Sequence, residues 1–301
     1  MSIDFDNTYP WAGIETVTID GQQMVKIPKF YVKTFDAGST AKHAGQFCRV
    51  VSDIKRDGFH IHPAFMKDGK EVPCFYIGAY EASANGSKAC SLSGKSPWVN
   101  ITNPAAISAC AARNTGSAGS EQYGWHLQTV YERAAIALLM MIELGTSNVQ
   151  TAIANGNVSS SAAQATGATA AKWRGIHEFW GNVWEHTDGI KTDASSRIQI
   201  FDNEGKGTYK NTNVVLPGGW IKETSRASGD GFDLGDVFVP SVCDGTETNG
   251  TYADYSWVSA NCVLYQSGHW GNGSQCGAFT FGAYRAASYS HGSLGFRAAK
   301  Y

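Results

Sequence analysis

The chain has 301 residues, of which 43% are hydrophobic, 17% are charged and 34 are glycine, and its formal net charge is −2. A charge so close to zero, without a lysine-rich run, argues against nucleic-acid binding. The acidic start, MSIDFDNTYPW, does not have the pattern of a signal peptide, and no stretch of about 18 apolar residues predicts membrane insertion.

Few charges and many glycines favour a loop-rich β or α+β fold over a helical one. Short alternating runs over 14–19, 24–27 and 28–32 predict two or three strands, with a hairpin turn at Asp20-Gly21. More strands are expected over 47–51 and 72–80. We therefore expect residues 1–100 to be a β-rich portion that can be continuous with a main domain over 101–301.

Two other features have a structural and a chemical interpretation. His60 and His62 would share one face of a strand, which permits a metal pair, but no third ligand is evident and a hydrogen-bonded role is favoured. The seven cysteines are widely spaced and form no CxxC motif, so reduced, buried thiols are expected.

One long helix is predicted over 129–144. Thr129 and Glu132 have the spacing of a capping box, and Gly145 marks the end of the helix. Apolar residues lie on nearly every side between them, which indicates a buried helix. We expect this helix to pack on a small antiparallel sheet that contains residues near 263 and 294–298. A shorter helix is expected near 105–112.

The last part of the chain has an unusual composition. No Asp or Glu follows Asp254, and Tyr, Trp, Phe, Ser, Gly, His and Arg together make up most of the residues from Asn261 onwards. This composition is typical of binding surfaces, in which Tyr gives rigid contact area and Ser and Gly adapt their hydrogen bonds. Residues 284–291 lack the two-residue period of a core strand. We expect a ligand-binding region over about 261–297, although a buried terminal β-segment is the alternative.

The segment Gly181-Asn182-Val183-Trp184-Glu185, together with the closing Gly295-Phe296-Arg297, resembles the C-type lectin fold of the formylglycine-generating-enzyme type. The resemblance covers residues 120–301 well and the first 100 residues loosely. It implies an α+β, C-type-lectin-like fold with small antiparallel sheets, a buried helix and long loops.

The family has an enzymatic and a binding branch. The enzymes use a close pair of reactive cysteines near the C-terminus, whereas Cys262 and Cys276 are far apart in this sequence. The chain is more similar to the variable proteins of diversity-generating retroelements and to phage tail-fibre tips of the major-tropism-determinant type. We therefore expect that the chain is not an enzyme. A sulfatase-modifying oxidoreductase and a structural tail component are the alternatives.

In the variable proteins, scattered surface positions are mutated, mainly at AAC codons, which cannot become Lys, Glu, Gln, Met or Trp codons. Gln266, Gln275 and Trp270 are therefore assigned to a constant frame together with Phe279, Phe281, Leu294 and Phe296. The residues that the resemblance assigns to ligand binding are all reachable from AAC: Tyr265, Ser267, His269, Thr280, Ala283, Tyr284, Arg285, Ser288, Tyr289 and His291.

The resemblance also implies a calcium site. Carried over by position, its ligands are Glu178, Gly181, Val183 and Glu185, although Glu178 stands where the enzymes have Asn. In the alternative, Glu185 pairs with an Arg or a backbone amide and no cofactor is required.

The expected partner is a host-surface receptor, either a protein or a glycan, and the expected location is a phage virion tail or a bacterial cell surface. Fibre tips of this kind are commonly trimers, so a homotrimer is the assembly that the resemblance suggests.

Overall fold

The structure is a computed structural model that describes residues 3–36, 47–244, 246 and 252–301. The helices are α1 (Asn103–Ala111), α2 (Val130–Leu144) and α3 (Val149–Ala152), with 3-10 turns at Phe5–Asn7, Trp11–Gly13, Pro63–Phe65, Leu234–Asp236 and Gly273–Gln275.

The strands of the first half are β1 (Glu15–Ile19), β2 (Gln22–Pro28), β3 (Tyr31–Asp36), β4 (Phe47–Ser52), β5 (His60–Ile61), β6 (Met66–Lys67), β7 (Lys70–Glu71), β8 (Cys74–Gly78), β9 (Ser83–Asn85), β10 (Lys88–Cys90) and β11 (Trp125–Leu127).

Those of the second half are β12 (Lys172–Trp173), β13 (Ile176–His177), β14 (Trp184–Thr192), β15 (Arg197–Phe201), β16 (Tyr209–Val215), β17 (Gly219–Trp220), β18 (Glu223–Thr224), β19 (Ser228–Gly229), β20 (Phe232–Asp233), β21 (Pro240–Val242), β22 (Tyr255–Val258), β23 (Val263–Gln266), β24 (Phe281–Arg285), β25 (Leu294–Phe296) and β26 (Ala298–Lys300).

Helix α2 forms as the sequence predicts. The Thr129 hydroxyl accepts a hydrogen bond from the Glu132 amide, and the Glu132 carboxylate accepts one from the Thr129 amide at 2.7 Å. Gly145 ends the helix with φ 65°, a conformation that glycine adopts without strain. Every residue from Val130 to Met140 is buried. The predicted capping box and the buried, apolar character of this helix are both confirmed.

A five-stranded antiparallel sheet joins strands from both ends of the chain, in the order β1-β2-β8-β26-β11. Its strands β1 and β2 lie where alternating residues predict strands, and β8 lies within the strand expected over 72–80. Val25, Ile27 and Ile77 of this sheet belong to the same hydrophobic core as α2.

The second large sheet carries the candidate site. Its order is β16-β15-β14-β23-β24-β22-β17, and β25 pairs in parallel with β14. Leu264 of β23 and Phe281 of β24 lie in the core with α2, which confirms that the helix packs on a sheet containing residues near 263.

Residues 294–298 differ from the prediction of one small antiparallel sheet. Leu294–Phe296 joins the second sheet as a parallel strand, whereas Ala298–Lys300 joins the five-stranded sheet. Arg297 lies between the two, fully buried, at the point where the chain passes from one sheet to the other. The described structure has far more strand than helix, with one long buried helix, so the α+β class is confirmed.

Candidate functional site

The face of the second sheet opposite the main core carries a separate cluster of aromatic side chains. Trp184 of β14, Tyr265 of β23 and Leu294 of β25 are its buried members. Because side chains alternate along a strand, Trp184 points to this face while the neighbouring Glu185 points into the core. The sheet therefore separates an aromatic cluster from a buried charged one.

The predicted ligand-binding residues meet above this cluster. The ring centroids of Tyr265 and Tyr284 are 5.2 Å apart, and those of Trp184 and His269 are 6.4 Å apart. The Arg285 guanidinium lies 5.1 Å from the ring centroid of Tyr284 and 4.8 Å from that of Tyr289. Arginine held against aromatic faces in this way is a frequent anchor in binding surfaces.

The exposure of these residues decides which of them a large ligand can reach. Arg285, Ser288 and His291 are exposed, and His269, Tyr284 and Tyr289 are half-buried. The rings of Tyr289 and His291 are stacked, with 8° between their planes and 6.1 Å between their centroids. Six of the ten predicted residues thus present surface to solvent.

Four of the ten do not, and their predicted exposure is wrong. Tyr265 is 2% exposed and Ser267, Thr280 and Ala283 are 0% exposed. Strand β24 does have the two-residue period, which turns Ala283 into the core beside Phe281 and leaves Tyr284 on the aromatic face. The Ser267 hydroxyl donates to the Gly181 carbonyl at 3.3 Å, and the Thr280 hydroxyl donates to the Gln275 carbonyl at 3.0 Å.

Main-chain hydrogen bonds hold the loop over 286–293. The Asn100 amide donates to the His291 carbonyl, the Asn103 amide to the Ala287 carbonyl and the Trp184 amide to the Ser293 carbonyl, at 2.8–3.1 Å. These bonds do not involve the side chains of Ser288, Tyr289 or Ser290. The path of the loop is therefore fixed by backbone contacts that survive a change of those side chains.

Three aromatic residues extend the surface beyond the segment that the sequence indicated. Trp257 lies 5.3 Å from Trp184 and 4.6 Å from Tyr255, and Tyr255 lies 5.5 Å from Trp220, between ring centroids. All three are half-buried. A sequence signal existed, because Tyr255 and Trp257 are two residues apart on one strand. We call Trp220, Tyr255, Trp257, Tyr284, Arg285, Tyr289 and His291 the aromatic face.

The predicted frame is mostly buried. Phe279, Phe281, Leu294 and Phe296 are at most 2% exposed. Trp270 is only half-buried, so its predicted role as a core residue is weaker than that of the four others. Its main chain is nevertheless fixed, since its amide donates to Asn182 at 3.1 Å and its carbonyl accepts from Ser160 at 2.8 Å.

On the core side of the sheet, Glu185 lies at the centre of a buried charged hub. One carboxylate oxygen accepts from Arg297 Nη2 at 2.6 Å and Nε at 3.0 Å, and the other accepts from Arg133 at 2.8 Å and Gln128 at 2.7 Å. Burial alone would raise the pKa of Glu185, but Arg297 and Arg133 outweigh it and hold the pKa below its usual value.

These residues do not fit the calcium site that the family resemblance implies. The Glu185 oxygens already face two guanidinium groups, and a dication there would be repelled. The Glu178 carboxylate instead accepts from Gly167 and Thr169, and the Gly181 carbonyl accepts from Ser267. Within the described residues, no group of three or more His, Cys, Asp or Glu side chains could hold a metal. The ligand role that the resemblance implies for Glu185 is therefore not supported, and its pairing with Arg is found instead.

The histidine pair and two C-terminal cysteines lie in surroundings that suit a structural role. His60 and His62 both bond to Asp236, through its carboxylate at 2.7 Å and its carbonyl at 3.0 Å, as the hydrogen-bonded interpretation expects. Burial raises the pKa of the Cys262 and Cys276 thiols. Since the thiolate is the reactive form, these surroundings disfavour the reactive cysteine pair of the enzymatic branch.

No protein-family model matches the chain. No curated protein matches it either. Among the residues that the structure describes, no helix is both long and apolar enough to span a membrane.

Three solved structures are similar to the chain over most of its length. Treponema denticola variable protein 1 is 12% identical with a TM-score of 0.41, over 95% of this chain and 98% of that one. The major tropism determinant P3c variant is 11% identical with a TM-score of 0.37, over 91% and 72%. PvdO from Pseudomonas aeruginosa is 11% identical with a TM-score of 0.35, over 95% and 97%. Likenesses of this size carry no argument about function, so the proposals below depend on the chain's own residues.

Proposed function

We propose that the chain is a receptor-binding protein that contacts its ligand through the aromatic face. The observation that carries this proposal is the combination at 284–291 of exposed or half-buried side chains with a loop held by main-chain hydrogen bonds. A rigid backbone displays Arg285, Tyr289 and His291 without a large entropy cost on binding. Such residues are the usual anchors of binding surfaces.

The proposal includes a C-type-lectin-like fold of the formylglycine-generating-enzyme type and a surface that tolerates diversification. The sheet and the main chain fix the loop, so the exposed side chains can vary at little cost to the fold. A retroelement variable protein and a phage tail-fibre tip both need these properties. The corresponding locations are a bacterial cell surface and a virion tail, the partner is a host-surface protein or glycan, and the proposed assembly is a homotrimer.

A binding experiment tests the receptor role. Labelled protein is incubated with cells of the bacterial host, and the bound fraction is measured for wild type and for Arg285→Ser combined with Tyr289→Ser. The expected loss is about 2 kcal/mol or more in binding free energy, equivalent to roughly 30-fold. Arg197→Ser is the matched control, because it removes an exposed arginine from β15. Equal binding by the double variant and wild type would refute the receptor role of this face.

Sequencing the DNA around the gene tests diversification separately. We expect a reverse-transcriptase gene and a near-copy of codons 263–297. Differences between the copies should fall at exposed or half-buried positions such as Tyr284, Arg285 and Ser288. Changes concentrated instead at buried Ser267 and Thr280 would contradict the proposal, since those side chains hold the backbone.

A further inference from the structure

A cleft of about 390 Å³ lies outside the aromatic face and shares no residue with it. It forms where β11, the start of α2, β14 and the loop between β15 and β16 meet. A bridge between Thr129 and Asp188 holds β14 beside the N-terminus of α2. The opposite wall is fixed as well, because Asp68 and Gly69 donate to the carbonyls of Gly205 and Glu204 at 3.1 and 2.8 Å.

The walls of the cleft are largely aromatic. Tyr123, Trp125, Tyr131, Phe201 and Tyr301 all line it. The ring of Tyr301 stacks on His126 with 4.5 Å between centroids and 17° between planes. Concave sites with aromatic walls and few polar groups are typical of small-molecule binding.

Most polar side chains that line the cleft are occupied by the protein itself. The Asn114 amide donates to the Trp125 carbonyl and accepts from the Trp125 amide, both at 2.8 Å. Both ring nitrogens of His126 are engaged, by Gly124 at 2.8 Å and Glu132 at 2.7 Å. Asp202 accepts from the amides of three residues in its own loop. A sugar needs several free donors and acceptors, so this inventory does not favour one.

Asp188 differs from these residues. It is half-buried, it accepts the Gly189 amide at 2.8 Å and a contact from the Tyr209 hydroxyl, and His126, the cation that lowers its pKa, is itself paired with Glu132. Burial raises the pKa of its carboxyl group. A carboxylate partly withdrawn from water that shares its attracting cation with Glu132 gains from a second cation, which gives the cleft a preference for positive charge.

The protein already contains one ammonium group bound to this aromatic wall. Lys67 Nζ lies 4.8 Å from the ring centroid of Tyr301, and both residues line the cleft. The contact shows that an alkylammonium ion fits against these rings, where the aromatic face attracts positive charge.

We propose that this cleft binds a small organic amine, with its ammonium group on Asp188 and its apolar part against the rings of Tyr123 and Tyr301. This activity is separate from the proposed receptor role, since no residue of the aromatic face takes part. The site therefore gives the protein a second ligand of a different chemical class.

Two probes of nearly equal shape test the proposal by calorimetric titration. Tyramine carries the ammonium group, and 4-ethylphenol has the same ring and a carbon chain without it. We expect saturable binding of tyramine at one site and binding of 4-ethylphenol at least about tenfold weaker, because only tyramine pairs with the carboxylate. Equal binding of the two probes, or no binding of tyramine, would overturn the proposal.

Three variants locate the site. Asp188→Asn keeps an acceptor for the Gly189 amide and should weaken tyramine about tenfold while leaving 4-ethylphenol unchanged. Lys67→Met removes a competing cation and should leave tyramine binding equal or stronger. Tyr123→Ser changes a ring that is 41% exposed, so the fold should survive while both probes bind more weakly. Unchanged tyramine affinity in both Asp188→Asn and Tyr123→Ser would place the probe elsewhere and refute the assignment.

Discussion

The two sides of strand β14 use polar residues in opposite ways. On one side, Glu185 is fully buried and all of its carboxylate contacts are internal, to Arg133, Arg297 and Gln128. On the other side, Trp184 supports an aromatic face on which Arg285 and His291 remain exposed. The same residue type therefore stabilises the fold through buried ion pairs at Arg297 and stays on the exposed surface at Arg285. Burial and pairing, rather than residue type, distinguish the two roles.

The same substitution made at two arginines tests this contrast. Arg297→Met leaves the Glu185 carboxylate without its main partner in a buried site, which should cost about 3–5 kcal/mol in the free energy of unfolding. Arg285→Met on the exposed surface should cost no more than about 0.5 kcal/mol. Denaturant unfolding measures both. Similar losses at the two positions would contradict the division of roles.

Thr280 gives a smaller test within the C-terminal segment. Its hydroxyl accepts from the Gly277 amide at 2.7 Å and donates to the Gln275 carbonyl at 3.0 Å, and the side chain is fully buried. Thr280→Val keeps the shape but leaves both backbone groups unsatisfied, so we expect a loss of about 1–3 kcal/mol. Ser288→Ala, at an exposed position of the same segment, is the control and should change stability by less than about 0.5 kcal/mol.

The sequence was sufficient for the local features of the fold and insufficient for the long-range ones. Thr129, Glu132 and Gly145 are local signals, and they define α2 correctly. The partners of Glu185, in contrast, are 52 and 112 residues away in the chain. No local pattern specifies such pairs, so the GNVWE segment suggested a calcium site by resemblance while the three-dimensional structure places arginines there.

The candidate site shows the same limit. The acid-free composition after Asp254 marked a segment whose Tyr284 and Tyr289 pack against the aromatic cluster. It could not separate Ala283 from Arg285, because their exposure depends on the pairing of β24 with its neighbours. It also missed Trp220 and Trp257, which lie before the segment in sequence and join the surface through the sheet.

Asp254 provides a test by pH. Its carboxylate is buried and accepts the Phe279 amide at 2.8 Å, and burial raises its pKa well above 3.8. The folded state therefore keeps a proton that the unfolded state has already lost, and this group reduces stability as pH rises above about 3.8 towards its folded pKa.

Asp254→Asn removes this pH-dependent loss of stability, because the amide does not titrate, and it keeps an acceptor for the Phe279 amide. We expect the stability of the variant relative to wild type to increase between pH 4 and pH 7, as measured by denaturant unfolding at several pH values. The pKa of Glu81 is also raised in the folded state, but Glu81 is present in both proteins. Its contribution to the pH dependence therefore cancels when the two stabilities are subtracted. A difference that is constant across this pH range would show that the Asp254 carboxyl is not protonated in the folded state.

We expect substitutions at Ser288 to have the smallest effect on stability. They can be compared with the same substitution at a buried serine of the segment. Ser288 is exposed, and main-chain bonds on either side fix the loop, so Ser288→Tyr should change the free energy of unfolding by less than about 0.5 kcal/mol. Ser267→Tyr is the matched change at a buried serine whose hydroxyl bonds to Gly181 and whose φ is 91°. There a tyrosine ring has no space, and overpacking should cost about 1–3 kcal/mol or more. Thermal unfolding distinguishes the two variants directly. If Ser288→Tyr destabilises the protein as much as Ser267→Tyr does, the loop depends on its side chains, and the surface could not be diversified without loss of the fold.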